Sequence, residues 1–255
     1  MSFPVYFHLF GFTINPHFVF ESLAYSVGFA TFRLLQQRFG DPVPHSVRWS
    51  VVAAAVAGAA AGSKILYWLE DPERILHHWN NWQIVWGGKT IVGGLIGGLA
   101  AVEYCKKKTG FAGRTGDLFA VPLCIGIAVG RIGCFLAGLY DYTYGSVTSL
   151  PWGINFGDGM RRHPTQLYEI VFLVCLSAFL LSRMRTSHVR GDIFKLFMVG
   201  YFGWRLCIDF LKPDPKFLLL NSLQWGCVAM LLYYAGDIRR WLETKARSTA
   251  ASAAT

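Results

Sequence analysis

Charge is scarce in this sequence. Asp, Glu, Lys and Arg together make up 15% of its 255 residues, against roughly one quarter in a soluble domain. Hydrophobic residues reach 53%, so an ordinary soluble fold is excluded. None of the six cysteines (Cys105, Cys124, Cys134, Cys175, Cys207 and Cys227) forms a Cys-x-x-Cys pair. Neither a disulfide framework nor a metal site is therefore expected, and most of the cysteines fall within apolar runs as small hydrophobes. Met1 to His17 holds no Lys or Arg and so lacks the basic region of a signal peptide. No 20–50-residue repeat is evident. Gly-Lys-Thr at 88–90 lacks the earlier glycine and the strand of a nucleotide-binding loop, which argues against an ATP site. The net charge of +9 is dispersed in short clusters between apolar runs. With no nucleic-acid motif or basic face, no nucleic-acid partner is expected.

What the sequence has instead is apolar runs near the roughly 20 residues needed to cross a bilayer. Backbone in hydrocarbon must satisfy its own hydrogen bonds, so such runs are helices. Seven are read, at 18–36, 47–69, 90–105, 117–138, 165–182, 192–211 and 221–237. The expected fold is an all-α membrane protein, a bundle of about seven transmembrane helices forming one domain over 1–255. Fifteen Lys and Arg fall at one set of ends and six, Lys216 among them, at the other. By the positive-inside rule this puts the N-terminus outside and the C-terminus in the cytoplasm. The longer loops, 70–89 and 139–164, are then external. They hold Trp79, Trp82, Trp86 and Trp152, which suit an interfacial aromatic belt.

Ionisable residues inside a bilayer cost several kcal/mol and mark functional sites. Here they are Glu21, Lys64, Arg131, Glu169, Arg205 and Asp209. In the sixth run Tyr201, Arg205, Asp209 and Lys212 share one helical face, and Arg205 and Asp209 can pair at i,i+4. In the fourth run, Gly126-x-x-x-Gly130-Arg131-Ile132-Gly133-Cys134 allows close helix packing around an arginine whose planar fork fits a phosphate group. Cys134, one turn on, is either a small packing residue or a thiol made reactive by its cationic neighbour. The fifth run opens with Arg162-His163-Pro164-Thr165-Gln166-Leu167-Tyr168-Glu169. Pro164 suits a first turn, and Gln166 and Glu169 share a face. His163 and Glu169 are either proton-exchanging groups or caps and packing polars. The glycine-dense stretch from Gly87 to Gly98 suits close helix contact or backbone approach to a headgroup.

Taken together, Gly130-Arg131-Ile132-Gly133, Arg162-His163-Pro164-Thr165-Gln166-Leu167-Tyr168-Glu169, Gly200-Tyr201-x-x-x-Arg205-x-x-x-Asp209 and Gly93-Gly94-Leu95-Ile96-Gly97 resemble the bacterial prolipoprotein diacylglyceryl transferases. The likeness runs from Tyr25-Ser26-Val27-Gly28-Phe29 to Leu223-Gln224. It implies a multi-pass enzyme of the bacterial inner (cytoplasmic) membrane with no metal or other cofactor. Its partners would be membrane lipid, specifically phosphatidylglycerol, and a prolipoprotein signal peptide with a lipobox cysteine. The diacylglyceryl group would pass to that cysteine's thiol, with release of glycerol phosphate.

By the same resemblance the family's essential arginines fall on Arg131 and Arg205, its glutamate on Glu169 and its tyrosine on Tyr201. The sequence departs from the family pattern where Val92 replaces a histidine, Cys134 an asparagine, Ala137-Gly138-Leu139 an Asn-Gly-Glu, and Glu21 a first-span aromatic residue. The external segment 139–164 is also shorter. The expected catalytic set is Arg131, Arg205, Glu169, Tyr201, His163 and Glu21, with Glu21, Glu169 or His163 as the base and with Asp209 and Tyr201 orienting Arg205. The expected substrate-binding set is Arg131, Arg205, Asp209, Gly93, Gly94, Gln166 and Cys134. Two other readings stay open: a transferase using another acceptor, and a lipid-binding or transport protein that is not an enzyme.

Overall fold

The computed structural model of the chain describes residues 3–9, 11–186, 188–213 and 218–253, with side chains only up to position 244 in the last stretch. Lys216 lies outside the described residues, as do the side chains of Lys245 and Arg247. The chain is mostly helical. A short hairpin, β1 (Phe7–Leu9) and β2 (Phe12–Ile14), precedes α1 (Pro16–Phe39) and α2 (His45–Glu70). Two short helices follow, α3 (Pro72–His77) and α4 (Trp82–Gly87), and then α5 (Ile91–Thr109) and α6 (Asp117–Ala137). A 3₁₀ turn (Gly138–Asp141) leads into a small hairpin of β3 (Ile154–Asn155) and β4 (Arg161–Arg162). The remaining helices are α7 (Thr165–Met184), α8 (Asp192–Ile208), α9 (Ser222–Tyr233) and α10 (Ala235–Ala253).

Each apolar run expected from the sequence is helical, because no other conformation pairs its backbone away from water. Among the described residues, four stretches are long and apolar enough to cross a membrane: Pro16–Phe39, His45–Glu70, Asp117–Asp141 and Thr165–Met184. The segments 70–89 and 139–164, expected as loops, carry local structure instead. In the first, Asp71 and Asn81 cap α3 and α4 with their carboxylate and amide oxygens. The opening β1–β2 hairpin was not expected from the sequence at all.

Capping chemistry sets several helix starts. Pro16 opens α1 after Asn15, whose side chain accepts from the His17 N–H, a favourable start for a helix. Asn221 and Gln224 form a reciprocal capping box at α9. The core lies between α6, α7, α8 and α9. Leu173, Leu180, Ile193, Phe197, Met198 and Phe202 are fully buried there.

On the other side α2 and α5 touch backbone to backbone. A Cβ on Gly62 would sit 2.4 Å from the Gly93 carbonyl oxygen, and one on Gly97 would sit 2.3 Å from that of Gly58. Only glycine permits that approach. Glycines also set the α1–α6 contact, where a Cβ on Gly133 would meet Phe20 Cβ at 2.9 Å and His17 Cα at 3.2 Å. The Gly-Arg-Ile-Gly motif thus draws the first turn of α1 against the last turns of α6.

Candidate functional site

The C-terminal ends of α6 and α8 and the N-terminal ends of α1, α5, α7 and α9 gather at one end of the bundle. Arg131 lies six residues from the end of α6 and Arg205 three from the end of α8. At about 1.5 Å per residue both sit roughly 5–9 Å inside their helix ends. Glu169, in the second turn of α7, holds them together. Arg131 Nη2 donates to Glu169 Oε1 at 3.2 Å, and Arg205 Nη1 donates to Glu169 Oε2 at 3.3 Å. Arg131 Nε also lies 2.8 Å from Glu169 Oε2 as an ion pair, but its N–H is not aimed as a hydrogen bond. Tyr201 donates its hydroxyl to Glu169 Oε1 at 2.8 Å. Arg205 Nη2 grips both Asp209 oxygens, at 2.9 and 3.1 Å, and Lys212 Nζ lies 3.1 Å from Asp209 Oδ1. All six side chains are buried.

This cluster carries three cations, Arg131, Arg205 and Lys212, against two carboxylates, Glu169 and Asp209. One positive charge is left over in a buried place. Such a charge is costly without an anion beside it. The cations are also the members of the cluster that line a cavity of about 1890 Å³, whereas Glu169, Asp209 and Tyr201 stand behind them. The carboxylates therefore fix the guanidinium forks, and the forks face the space a ligand would enter.

The cavity runs from His17 to Gln36 along α1, about 28 Å at the helical rise and close to the roughly 30 Å of a bilayer's hydrocarbon core. Phe29, Phe32, Val52, Val56, Leu95 and Leu99 give it apolar walls away from the arginines. Arg48, Lys106, Arg114 and Lys195 line its far end, so the cavity is an apolar bore with cationic groups at both ends, a form that suits an anionic amphiphile.

The other expected site residues are placed as follows. Glu21 lines the cavity and is ion-paired with Lys89. Gly94 lines it too, but Gly93 is turned to α2, where it packs against Gly62. Gln166 is buried and donates to Thr143 Oγ1 at 3.1 Å. Cys134 is buried at the cavity wall, its Sγ 3.8 Å from Arg131 Nη1.

Three expected roles can be set beside the geometry. His163 follows β4 directly, its Nδ1 3.3 Å from the Tyr168 hydroxyl, and it is not among the residues that line the cavity. The backbone pairing of 163 with Ser146, next to β4, carries it there. Tyr201, expected to orient Arg205, donates its hydroxyl to Glu169, and Glu169, expected among the candidate bases, is engaged by both arginines.

Sequence reasoning missed three groups. His17 falls one residue before the first apolar run, and its Nδ1 lies 3.3 Å from Asp141 Oδ1. Asp141 sits in the turn after α6, where no pattern marks it. Lys212 was placed on the right face but not in the site. The N-cap signal Asn15-Pro16 was the available clue to His17, because it starts the helix early enough to include it.

A sequence profile of the prolipoprotein diacylglyceryl transferase family matches residues 4–238. Among relatives named phosphatidylglycerol–prolipoprotein diacylglyceryl transferase, that of Clostridium tetani is 31% identical over 220 residues, covering 84% of this chain and 86% of the relative. That of Bordetella parapertussis is 30% identical over 241 residues, covering 84% and 87%. That of Sinorhizobium medicae is 30% identical over 270 residues, covering 95% and 93%.

Proposed function

We propose that this chain, which belongs to the prolipoprotein diacylglyceryl transferase family, moves the diacylglyceryl group of phosphatidylglycerol onto the cysteine thiol of a prolipoprotein. The observation that carries this reading is the pair of guanidinium groups, from separate helices, converging on one cavity with a positive charge to spare. In the reaction the acceptor thiol gives up its proton to solvent, and its sulfur bonds to the glyceryl CH₂ carbon that bears the phosphate. The carbon–oxygen bond breaks, and its electron pair leaves with glycerol phosphate. Negative charge therefore grows on the leaving oxygen. Arg131 and Arg205, already fixed by Glu169 and Asp209, stabilise that charge without reorganising. Lys212 adds to the same field, and the apolar bore holds the acyl chains.

The chain is read here as crossing the bacterial inner membrane seven times, through α1, α2, α5, α6, α7, α8 and the α9–α10 pair. The N-terminus is outside and the C-terminus cytoplasmic. The distribution of Lys and Arg supports that orientation. Trp79, Trp82 and Trp152, exposed on the segments between the spans, suit residues at a membrane interface. The reacting end of the bundle then faces outward, where a signal peptide's cysteine emerges. Reporter fusions at 78 and 245 should fall on opposite sides of the membrane.

Incubation of the purified protein with labelled phosphatidylglycerol and a lipobox peptide tests the activity. A thioether-linked diacylglyceryl peptide and free glycerol phosphate are expected. Headgroup release without labelled peptide would point to another acceptor, and absence of turnover would refute the enzymatic reading. Rescue of a strain depleted of its own transferase checks the same activity in cells.

A further inference from the structure

An attacking thiol needs a group to take its proton. Glu169 and Asp209 are committed to the arginines, and neither lines the cavity. His163 does not line it either, and Val92 stands where the family usually has a histidine. Beside Arg131 a different set of side chains stands in the cavity: His17, Glu21 and Asp141.

Local structure brings His17 there. It sits in the first turn of α1, where the Asn15 side chain accepts from its backbone N–H at 2.8 Å. Gly133 lets that turn close on α6, since a Cβ at 133 would meet His17 Cα at 3.2 Å. The imidazole thus reaches residues that follow Arg131 in the chain. Its Nδ1 lies 3.3 Å from Asp141 Oδ1 and 3.9 Å from Cys134 Sγ. That sulfur is in turn 3.8 Å from Arg131 Nη1. Imidazole and guanidinium nitrogens therefore stand no more than about 8 Å apart, the length of the two sulfur contacts end to end. Reacting atoms need to come within about 3–3.5 Å of each other. The span has room for a phosphate oxygen on the arginine, an acceptor sulfur at the imidazole and the reacting carbon between them.

A carboxylate beside one ring nitrogen keeps the proton on that nitrogen and leaves the other to accept. Asp141 stands in that position at Nδ1. Its other oxygen accepts from Thr143 Oγ1 at 2.7 Å, and Thr143 is itself held by Gln166. Nε2 is then the basic nitrogen. Glu21 Oε2 is 3.8 Å from it, beyond hydrogen-bond reach, and Glu21 is ion-paired with Lys89. The His17 side chain is 31% exposed, so a proton taken up there can pass on to water.

The charges balance once a lipid is bound. The groups around His17 are Asp141, Cys134 and Arg131 from α6 and the turn after it, and Glu21 from α1 with Lys89 beyond it. Lys89 answers Glu21. The substrate's phosphate answers the positive charge left over among Arg131, Arg205 and Lys212. An imidazolium formed at His17 is then answered by Asp141. Without the phosphate it would add to an excess of positive charge, so lipid binding favours the proton transfer.

We propose that His17 is the general base of the transfer and that Asp141 is its positioning residue. The role rests on the transferase reading. The acceptor thiol's proton passes to Nε2, and the bonding pair stays on sulfur. Sulfur then bonds to the glyceryl CH₂ carbon as the carbon–oxygen bond breaks, and that electron pair departs on glycerol phosphate. The imidazolium returns its proton to water. The arginines serve the leaving group and the imidazole serves the nucleophile, which Val92 cannot do.

The test compares two acceptors on the full chain in lipid nanodiscs: a reduced lipobox peptide with its cysteine, and the same peptide with selenocysteine. A selenol is ionised at neutral pH and needs no base. On the cysteine peptide at neutral pH, His17→Gln should lower the maximal rate about 10²- to 10⁴-fold. The Michaelis constant for phosphatidylglycerol should change little. On the selenocysteine peptide the same variant should work at close to the parent rate, which also shows that it is folded. The cysteine defect should shrink as pH rises and the thiol ionises unaided. Asp141→Asn should give a smaller loss that selenocysteine also removes. A parent rate in His17→Gln on the cysteine peptide overturns the proposal. So does an equal loss on both acceptors, which makes His17 a structural residue. If the parent itself forms neither thioether nor selenoether, the transferase reading falls and the base falls with it.

Discussion

Half of the most apolar window of α6 is buried within the protein, against 11% for α1 and 6% for α2. Around α6 the helices are joined by large interlocking side chains, with a hydrogen-bonded ion cluster at one end. Around α2 and α5 they are joined by glycines, and Leu69 and Tyr104, outside the cavity lining, are exposed to the surroundings. The difference follows from the solvent. In lipid, apolar side chains gain little from being buried in protein, so thin outer helices need only close backbone contact to associate. A charged site does need enclosure, because ions are costly in hydrocarbon. The dense half therefore holds the charges rigid, and the sparse half walls a bore wide enough for acyl chains.

The largest effect should come from breaking the dense half. Glu169→Gln leaves two buried arginines without their shared counter-ion, and loss of one partner of a buried pair costs about 3–5 kcal/mol. Unfolding in mixed micelles should show that loss together with loss of transfer. Arg131→Lys and Arg205→Lys keep the charge but not the fork. Each should lower turnover by about 10²- to 10³-fold, the usual cost of a preorganised donor, with the protein still in the membrane. Steady-state transfer assays check this, and full activity in both variants would remove the phosphate cradle.

The sparse half should respond differently. Gly62→Leu overpacks the α2–α5 contact at an expected cost of about 1–3 kcal/mol. Because α2 forms the cavity wall, the Michaelis constant for phosphatidylglycerol should move more than the maximal rate.

The smallest effect concerns the corner between α1 and α2. There burial alone would raise the Asp41 carboxyl, but bonds from Arg48 and the Val43 N–H hold it below the usual carboxylate range. A depressed carboxylate contributes stability above its unfolded value and loses it as pH falls through the folded one. Asp41→Asn should therefore lower the melting temperature modestly at neutral pH and change it little in acid, so that the acid limb of the profile flattens.

Much of this architecture was legible in advance. The runs read at 117–138 and 165–182 became Asp117–Ala137 and Thr165–Met184, since long apolar segments have one way to satisfy their backbone. The pairing of Arg205 with Asp209 was legible from four-residue spacing on one helix. The β1–β2 hairpin and the helices α3 and α4 were not, because short elements in polar segments leave no sustained periodicity. His163 shows a limit of motif reading. It shares a motif with Glu169, yet it lies in the stretch after β4 while Glu169 is buried in the bundle, because the helix begins between them at Thr165.

The sequence alone determined that this chain is helical and membrane-bound, which long apolar helices it has, and which ionisable residues they carry. Those are consequences of hydropathy and local spacing, which act over a few turns. Only the tertiary structure decided that Glu169 grips Arg131, 38 residues before it, and Arg205, 36 after it. It also decided that His17 stands beside Cys134, 117 residues away. Such meetings depend on which glycine faces let which helices approach, and that is a property of the packed bundle and of no single segment.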